Sequence, residues 1–304
     1  MNHWAVETTS LCKQFRSLQA VHNVSLKVPT GSVYGIVGTN GAGKSTFLNM
    51  LLGFIRPSAG QAFVLGADAG SPAGEHRQRI GYVTDQDYFF SAFSAAEMLE
   101  YGHRTYGRWD ETRCRHLAQA FGLPLRQNIR SMSKGVRVQL AFVMALSIRP
   151  ELLILDEPMS GLDAVVKREI LQLIMQEAAG GATVLMATHH LGELERIADR
   201  VAFFHQGRVV LEASTEEAKR DVRRIQVVFA NGLPEEIRMT PGVLRVEESG
   251  RMHSLIVDRE PDRVLALCRR HQPEYLEELD VDFEELFVHV MHREGYAHEQ
   301  AVLS

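Results

Sequence analysis

Residues 33–46 read VYGIVGTNGAGKST. Val33 to Val37 is a compact apolar run beside glycine, the pattern of a buried strand. Gly38 to Ser45 then fits G-x-x-x-x-G-K-[ST], and Phe47 to Phe54 follows as a predicted helix. Glycines let a backbone turn tightly enough for successive N–H groups to point inward at phosphate oxygens. The helix behind them adds the partial positive charge of its N-terminus. Lys44 is then expected to reach the β- and γ-phosphates of a nucleotide, and the Ser45 hydroxyl to ligate Mg²⁺. The expected cradle is Gly38, Thr39, Asn40, Gly41, Ala42, Gly43, Lys44, Ser45 and Thr46. A glycine-rich turn could match by chance, but a strand before it and a helix after it argue against that.

The second half of such a site is an acid at the end of a neighbouring buried strand. LLILDEP, residues 152–158, supplies it: four apolar residues end in Asp156 and Glu157, and Pro158 stops the strand. Carboxylates at the end of a buried strand are costly without partners, so they imply a task. Asp156 is expected to hold the Mg²⁺ shell. Glu157 is expected to face the water that attacks the γ-phosphate, as general base or water-orienter.

SMSKGVRVQL, residues 131–140, has two readings. Ser133 either caps the apolar helix that follows, or belongs to a second phosphate-binding loop that closes over a nucleotide held by another chain.

The whole chain bounds these readings. Its 304 residues, 45% apolar, are enough for a full core and a second small one. A net charge of −5 makes it a poor candidate for wrapping nucleic acid. Cys12, Cys114 and Cys268 are far apart and form neither a metal-ligand spacing nor a disulfide framework, which suits a reducing cytoplasm. There is no apolar run of the roughly twenty residues that a membrane span needs, and MNHWAVETTS lacks the order of a secretion signal. A soluble chain is expected, with any membrane span supplied by a partner.

Alternating pieces such as Val24 to Val28 predict half-buried antiparallel strands before the phosphate loop, and Gln61 to Leu65 another short one. From about Ser94 to Ile148 the pattern is helical. Strand-like runs at Leu152–Leu155 and Thr183–Ala187 flank an amphipathic helix, and Val201 to Leu211 reads as a hairpin turning at Gln206-Gly207. The order predicts a mostly parallel α/β sheet with a helical insertion over about 90–150. Composition shifts near Glu212, where ASTEEAKRDVRR reads as a helical linker. Beyond it, strands at Ile225–Phe229, Leu244–Glu247 and Ser254–Asp258 and a helix around Arg263–Arg270 predict a small α+β domain. Its acidic stretch, Glu274 to Glu285, reads as a solvated helix face. The expected domains are 1–220 and 221–304.

Across residues 4 to 220 the chain resembles the nucleotide-binding subunits of ABC transporters. That family's motifs appear in order as GTNGAGKST, GYVTDQD, MSKGV, LLILDEP, SGLD and MATHH. Each is weak to moderate alone, and the ordered set is specific. The resemblance implies the P-loop NTPase fold of ABC ATPases, with a mostly parallel sheet, an antiparallel β subdomain and a helical subdomain. It implies ATP and Mg²⁺ as ligands, ATP hydrolysis and two subunits stacked head to tail, as a homodimer or heterodimer. It also implies one or more polytopic membrane permease subunits, with the chain at the cytoplasmic face of the cell membrane.

Residue by residue, Ser133 and Gly135 match the signature loop that contacts the ATP of the opposite subunit. Lys134 and Val136 replace a glycine and a glutamine, a variant familiar in bacterial export-type members. His189 takes the switch position facing the γ-phosphate and the attacking water, beside Lys44 and Glu157. His190 reads more readily as a surface or packing residue. Asp163 belongs to the loop that crosses the dimer interface. Phe15 falls where relatives stack an aromatic ring on adenine, with a plain core phenylalanine as the alternative. One departure stands out: Asp85, not Gln86, falls at the glutamine-loop position, so either Asp85 ligates Mg²⁺ or the loop shifts to present Gln86.

Two other classes compete with a transport ATPase. An ABC-type ATPase acting on nucleic acid or ribosomes usually shows a coiled-coil insertion or two ATPase modules, whereas this chain has one phosphate loop, no heptad run and no basic tract. A nucleotide-binding regulator without turnover would need a damaged catalytic set, yet Lys44, Asp156, Glu157 and His189 are all present.

Overall fold

The computed structural model describes residues 3–72, 74–85, 89–220, 222–258 and 260–293. These divide into two compact units, Met1–Leu211 and Glu212–Ser304. The sequence reading drew its boundary after residue 220. The difference is the end of the strand Arg208–Ser214 and the short helix Thr215–Arg220.

The first unit is built on a six-stranded sheet. Its order is Arg208–Ser214, Arg200–His205, Val33–Val37, Thr183–Thr188, Leu152–Asp156 and Ile80–Thr84. The last five run parallel. Val33–Val37, Leu152–Asp156 and Thr183–Thr188 are buried along their whole length, which is why they read as unbroken apolar runs rather than alternations. The hairpin turns at Gln206 (φ 45) and Gly207 (φ 77), two left-handed residues as a tight two-residue turn requires.

A second, antiparallel sheet holds Trp4–Phe15, Leu18–Val24, Lys27–Pro29, Ala59–Val64 and Ala67–Asp68. The helix Lys44–Leu51 is packed between the two sheets. Phe47, Leu48, Met50 and Leu51 join one core with Val6, Leu11, Val28, Ile36, Ile154 and Leu185. The alternation over Val24–Val28 is two strands, not one. The first ends at Val24 and the second starts at Lys27, because Thr8 fills the break: its hydroxyl donates to the Val24 carbonyl (3.2 Å) and accepts from Leu26 N–H (3.0 Å).

Three helices, Ala95–Thr105, Glu111–Ala120 and Lys134–Ser147, make up the helical insertion. A capping box starts the first, where Ser94 accepts from Glu97 N–H and the Glu97 carboxylate accepts from Ser94 N–H. No helix among the described residues is long and apolar enough to cross a membrane.

The second unit runs strand, helix, strand, strand, helix, strand: Val222–Val228, Glu235–Arg238, Val243–Ser249, Met252–Asp258, Pro261–Arg270 and Tyr275–Asp280. The sheet order 243–249, 252–258, 222–228, 275–280, antiparallel throughout, is the ferredoxin-like arrangement. Its core joins Ile225, Val227, Leu255 and Val257 of the sheet to Val264, Leu265 and Cys268 of the longer helix. The acidic stretch therefore departs from its helical reading. Tyr275–Asp280 is a strand on the edge beside Val222–Val228, and only Phe283–Arg293 is helical. The neighbouring strand supplies the charge that the composition hid: Arg223 pairs with Glu278 (3.2 Å) and Arg224 with Glu285.

Candidate active site

Parallel pairing brings three strand ends together. Val37 lies opposite Thr188, and Ala187 opposite Asp156. Asp156 closes its strand, Glu157 and His189 follow directly on theirs, and Lys44 opens the helix after the phosphate loop, so residues far apart in sequence meet at the carboxyl edge of the sheet, where open α/β folds place ligands.

The phosphate loop needs its glycines. Gly43 has φ 102, and a Cβ there would lie 2.3 Å from the Ala20 carbonyl oxygen; one at Gly38 would lie 2.5 Å from that of Phe204. Thr39, Asn40, Gly41 and Ser45 are exposed, Thr46 is half-buried and Ala42 is buried. Lys44 is buried and folds back over its own loop. Its Nζ donates to the Gly38 carbonyl (2.6 Å) and the Thr39 carbonyl (3.3 Å), and stands 3.3 Å from Glu157 Oε1.

Asp156 is 4% exposed. Burial pushes its carboxyl up to about 6; the Ser45 hydroxyl bond and Lys44 pull it down, while Glu157 and Asp85 add like charge. Its Oδ1 is buried and has no hydrogen-bond partner among the described residues. A buried carboxylate oxygen with nothing to bind, next to a serine hydroxyl, fits a Mg²⁺ shell.

Glu157 has φ 51, a left-handed backbone that a glutamate adopts only under constraint. Its N–H donates to the Ala187 carbonyl (2.9 Å), and its carbonyl accepts from Ser160 N–H (3.2 Å). Oε2 accepts from the Thr188 hydroxyl (3.3 Å) and the His189 N–H (3.3 Å), and lies 2.8 Å from His189 Nδ1. Burial raises the Glu157 carboxyl, but the His189 bonds and Lys44 outweigh it and hold the group below its ordinary value. Thr188 escaped the sequence reading. The signal was a hydroxyl residue closing a buried strand immediately before two histidines. The His190 ring packs against that of His189, tilted by 37° with centroids 4.0 Å apart, and burial lowers its affinity for a proton, with His189 adding to the effect.

Asp85 stands at the head of its loop, its N–H on the Asp156 carbonyl (3.1 Å); Gln86 lies outside the described residues. Phe15 ends its strand 42% exposed, with Lys13 Nζ 4.9 Å from its ring, so it is not a core residue.

Ser133 and Asp163 are both helix caps. Ser133 Oγ accepts from Val136 N–H at 3.4 Å, and Asp163 Oδ1 accepts from the Val165 and Val166 N–H groups, each at 3.0 Å. The two loops approach each other, since a Cβ on Gly161 would stand 3.4 Å from Lys134 Nζ. Among the described residues, no hydrogen bond or ion pair joins Ser133, Gly135 or Asp163 to Lys44, Asp156, Glu157 or His189.

The family model described as "ABC transporter" matches residues 21–160. The daunorubicin/doxorubicin resistance ATP-binding protein DrrA of Streptomyces peucetius is 34% identical over 251 residues, 80% of this chain and 76% of its own length. The chain belongs to the ABC transporter ATP-binding proteins. The ABC transporter ATP-binding protein YtrB of Bacillus subtilis is 27% identical over 284 residues, 93% of this chain and 97% of its own. That match is longer than the first unit and so extends into the second. A solved ATP-binding subunit of an ABC transporter superposes with a TM-score of 0.67 at 27% identity, over 71% of this chain and 92% of its own. The P-loop NTPase fold of ABC ATPases expected from the motifs is thus the fold observed.

Proposed function

We propose that the chain is the ATP-hydrolysing subunit of an ABC exporter. It would work at the cytoplasmic face of the membrane with a polytopic permease and close head to tail on a second nucleotide-binding subunit. The observation that carries the reading is the pair Lys44 and His189 around the Glu157 carboxylate, which is held by strained backbone. A carboxylate kept ionised at the mouth of a phosphate loop is placed to take a proton from water. Thr188 and the His189 N–H aim it. Lys44 must leave the Gly38 and Thr39 carbonyls to meet phosphate oxygens, which frees Glu157 from its nearest cation.

Ser45, Asp156 and Asp85 would hold Mg²⁺, which neutralises phosphate charge when bound. Phe15, exposed at the rim, would stack on adenine. Among the described residues, Ser133, Gly135 and Asp163 bond to none of the catalytic groups of their own subunit, which supports a role across a dimer. Export rests on the SKG signature and on the drug-resistance relative.

Hydrolysis tests the reading. The purified chain should release phosphate from Mg-ATP. Glu157→Gln should bind ATP yet turn over on the order of 10²–10⁴-fold more slowly. Near wild-type release by that variant would remove Glu157 from the role. Copurification from detergent extracts should bring down a polytopic membrane protein.

A further inference from the structure

Two histidines follow each other at the end of the strand Thr183–Thr188, and the hydrolysis reading uses only the first. His189 Nδ1 lies 2.8 Å from Glu157 Oε2, and the His190 ring packs against the His189 ring at a tilt. One ligand atom from each of Glu157, His189 and His190 can be chosen so that all lie within 4.8 Å of one another. We propose that these three side chains form a binding site for a transition-metal ion of the Zn²⁺ type, separate from the Mg²⁺ shell, and that filling it stops turnover.

The donor set selects the metal. Two imidazole nitrogens and one carboxylate oxygen suit Zn²⁺, whereas Mg²⁺ prefers oxygen donors in an octahedral shell. Bonds of about 2.0–2.2 Å in a tetrahedron place neighbouring ligand atoms about 3.4 Å apart. The Glu157–His189 edge must open slightly and the others close by at most about 1.4 Å, which side-chain rotation can supply. An outer shell is already built, because the Thr188 hydroxyl and the His189 N–H both hold the Glu157 oxygen nearest the imidazole. Lys44 opposes the ion, but from the other oxygen, Oε1. His189 is exposed, so solvent reaches the cluster and can supply a fourth ligand.

The consequence for turnover rests on the hydrolysis reading: a metal held here occupies both the carboxylate that activates water and the imidazole beside it. Binding itself does not depend on that reading, so the two fail separately. The test titrates Zn²⁺ into the nucleotide-free, full-length chain against a chromophoric chelator. Wild type should bind one Zn²⁺ that both His190→Gln and Glu157→Gln weaken at least about tenfold. Retained ATP binding shows that each variant is folded. In the presence of Mg-ATP, micromolar Zn²⁺ should inhibit phosphate release by wild type, while His190→Gln keeps its zinc-free rate and resists the ion. Absence of a stoichiometric Zn²⁺ in wild type, wild-type affinity in either variant, or inhibition of His190→Gln equal to that of wild type would overturn the proposal.

Discussion

Asp156 sits where a carboxylate is least welcome, and the pH dependence of stability should show it. With a folded value of about 6 against an ordinary 3.8, the folded chain binds the proton more tightly than the unfolded one. The stability contribution is therefore complete below about pH 4 and is lost as pH rises through 6. A difference of that size corresponds to about 3 kcal/mol. Asp156→Asn, which cannot ionise, should gain on wild type by up to that amount between pH 4 and pH 7 in denaturant titrations without nucleotide. A constant difference across that range would show that the burial carries no such cost. Lys44→Ala acts on another quantity. It removes the cation facing the phosphates, so ATP affinity itself should fall, read by equilibrium binding, whereas Glu157→Gln should leave that affinity in place.

At the scale of elements, Ser133 has two tasks that one substitution separates. As the cap of Lys134–Ser147 it makes a long 3.4 Å bond, so Ser133→Ala should cost toward the low end of about 0.5–2 kcal/mol in thermal or urea unfolding. Any larger fall in hydrolysis belongs to a contact outside its own helix. The elements that build the site were legible because buried parallel strands are unbroken apolar runs and the phosphate loop has a fixed glycine spacing. The strand break at Ser25-Leu26 was not, because it depends on the Thr8 hydroxyl, distant in sequence. Nor was the edge strand Tyr275–Asp280, whose exposed acids read as a helix face until Arg223 of the neighbouring strand is placed beside Glu278. The aim of Glu157 was equally hidden: the motif names the residue, but its left-handed backbone and its bond from Thr188 come from the neighbouring strand.

At the scale of the whole molecule, the second unit has its own sheet and its own core. A fragment of residues 212–304 should fold alone and unfold cooperatively in urea by circular dichroism; a gradual loss of signal would tie its stability to the first unit. The proposed head-to-tail pairing gives a second experiment. Ser133→Arg and Lys44→Ala should each be poorly active alone. In a mixed dimer one composite site carries both lesions and the other carries neither, so mixing under subunit exchange should recover activity. A Ser133→Arg chain that dimerises and hydrolyses normally would reduce that loop to a helix cap.

The left-handed backbone at residue 157 also bears on how such genes age. A glutamate at φ 51 carries a backbone cost that glycine or asparagine would relieve. If Glu157 activates water as proposed, selection for turnover would hold it there against the drift of random substitution. In a duplicated copy released from that selection, position 157 should be among the first to drift toward glycine or asparagine, while the glycines of the loop, required for folding as well, should persist.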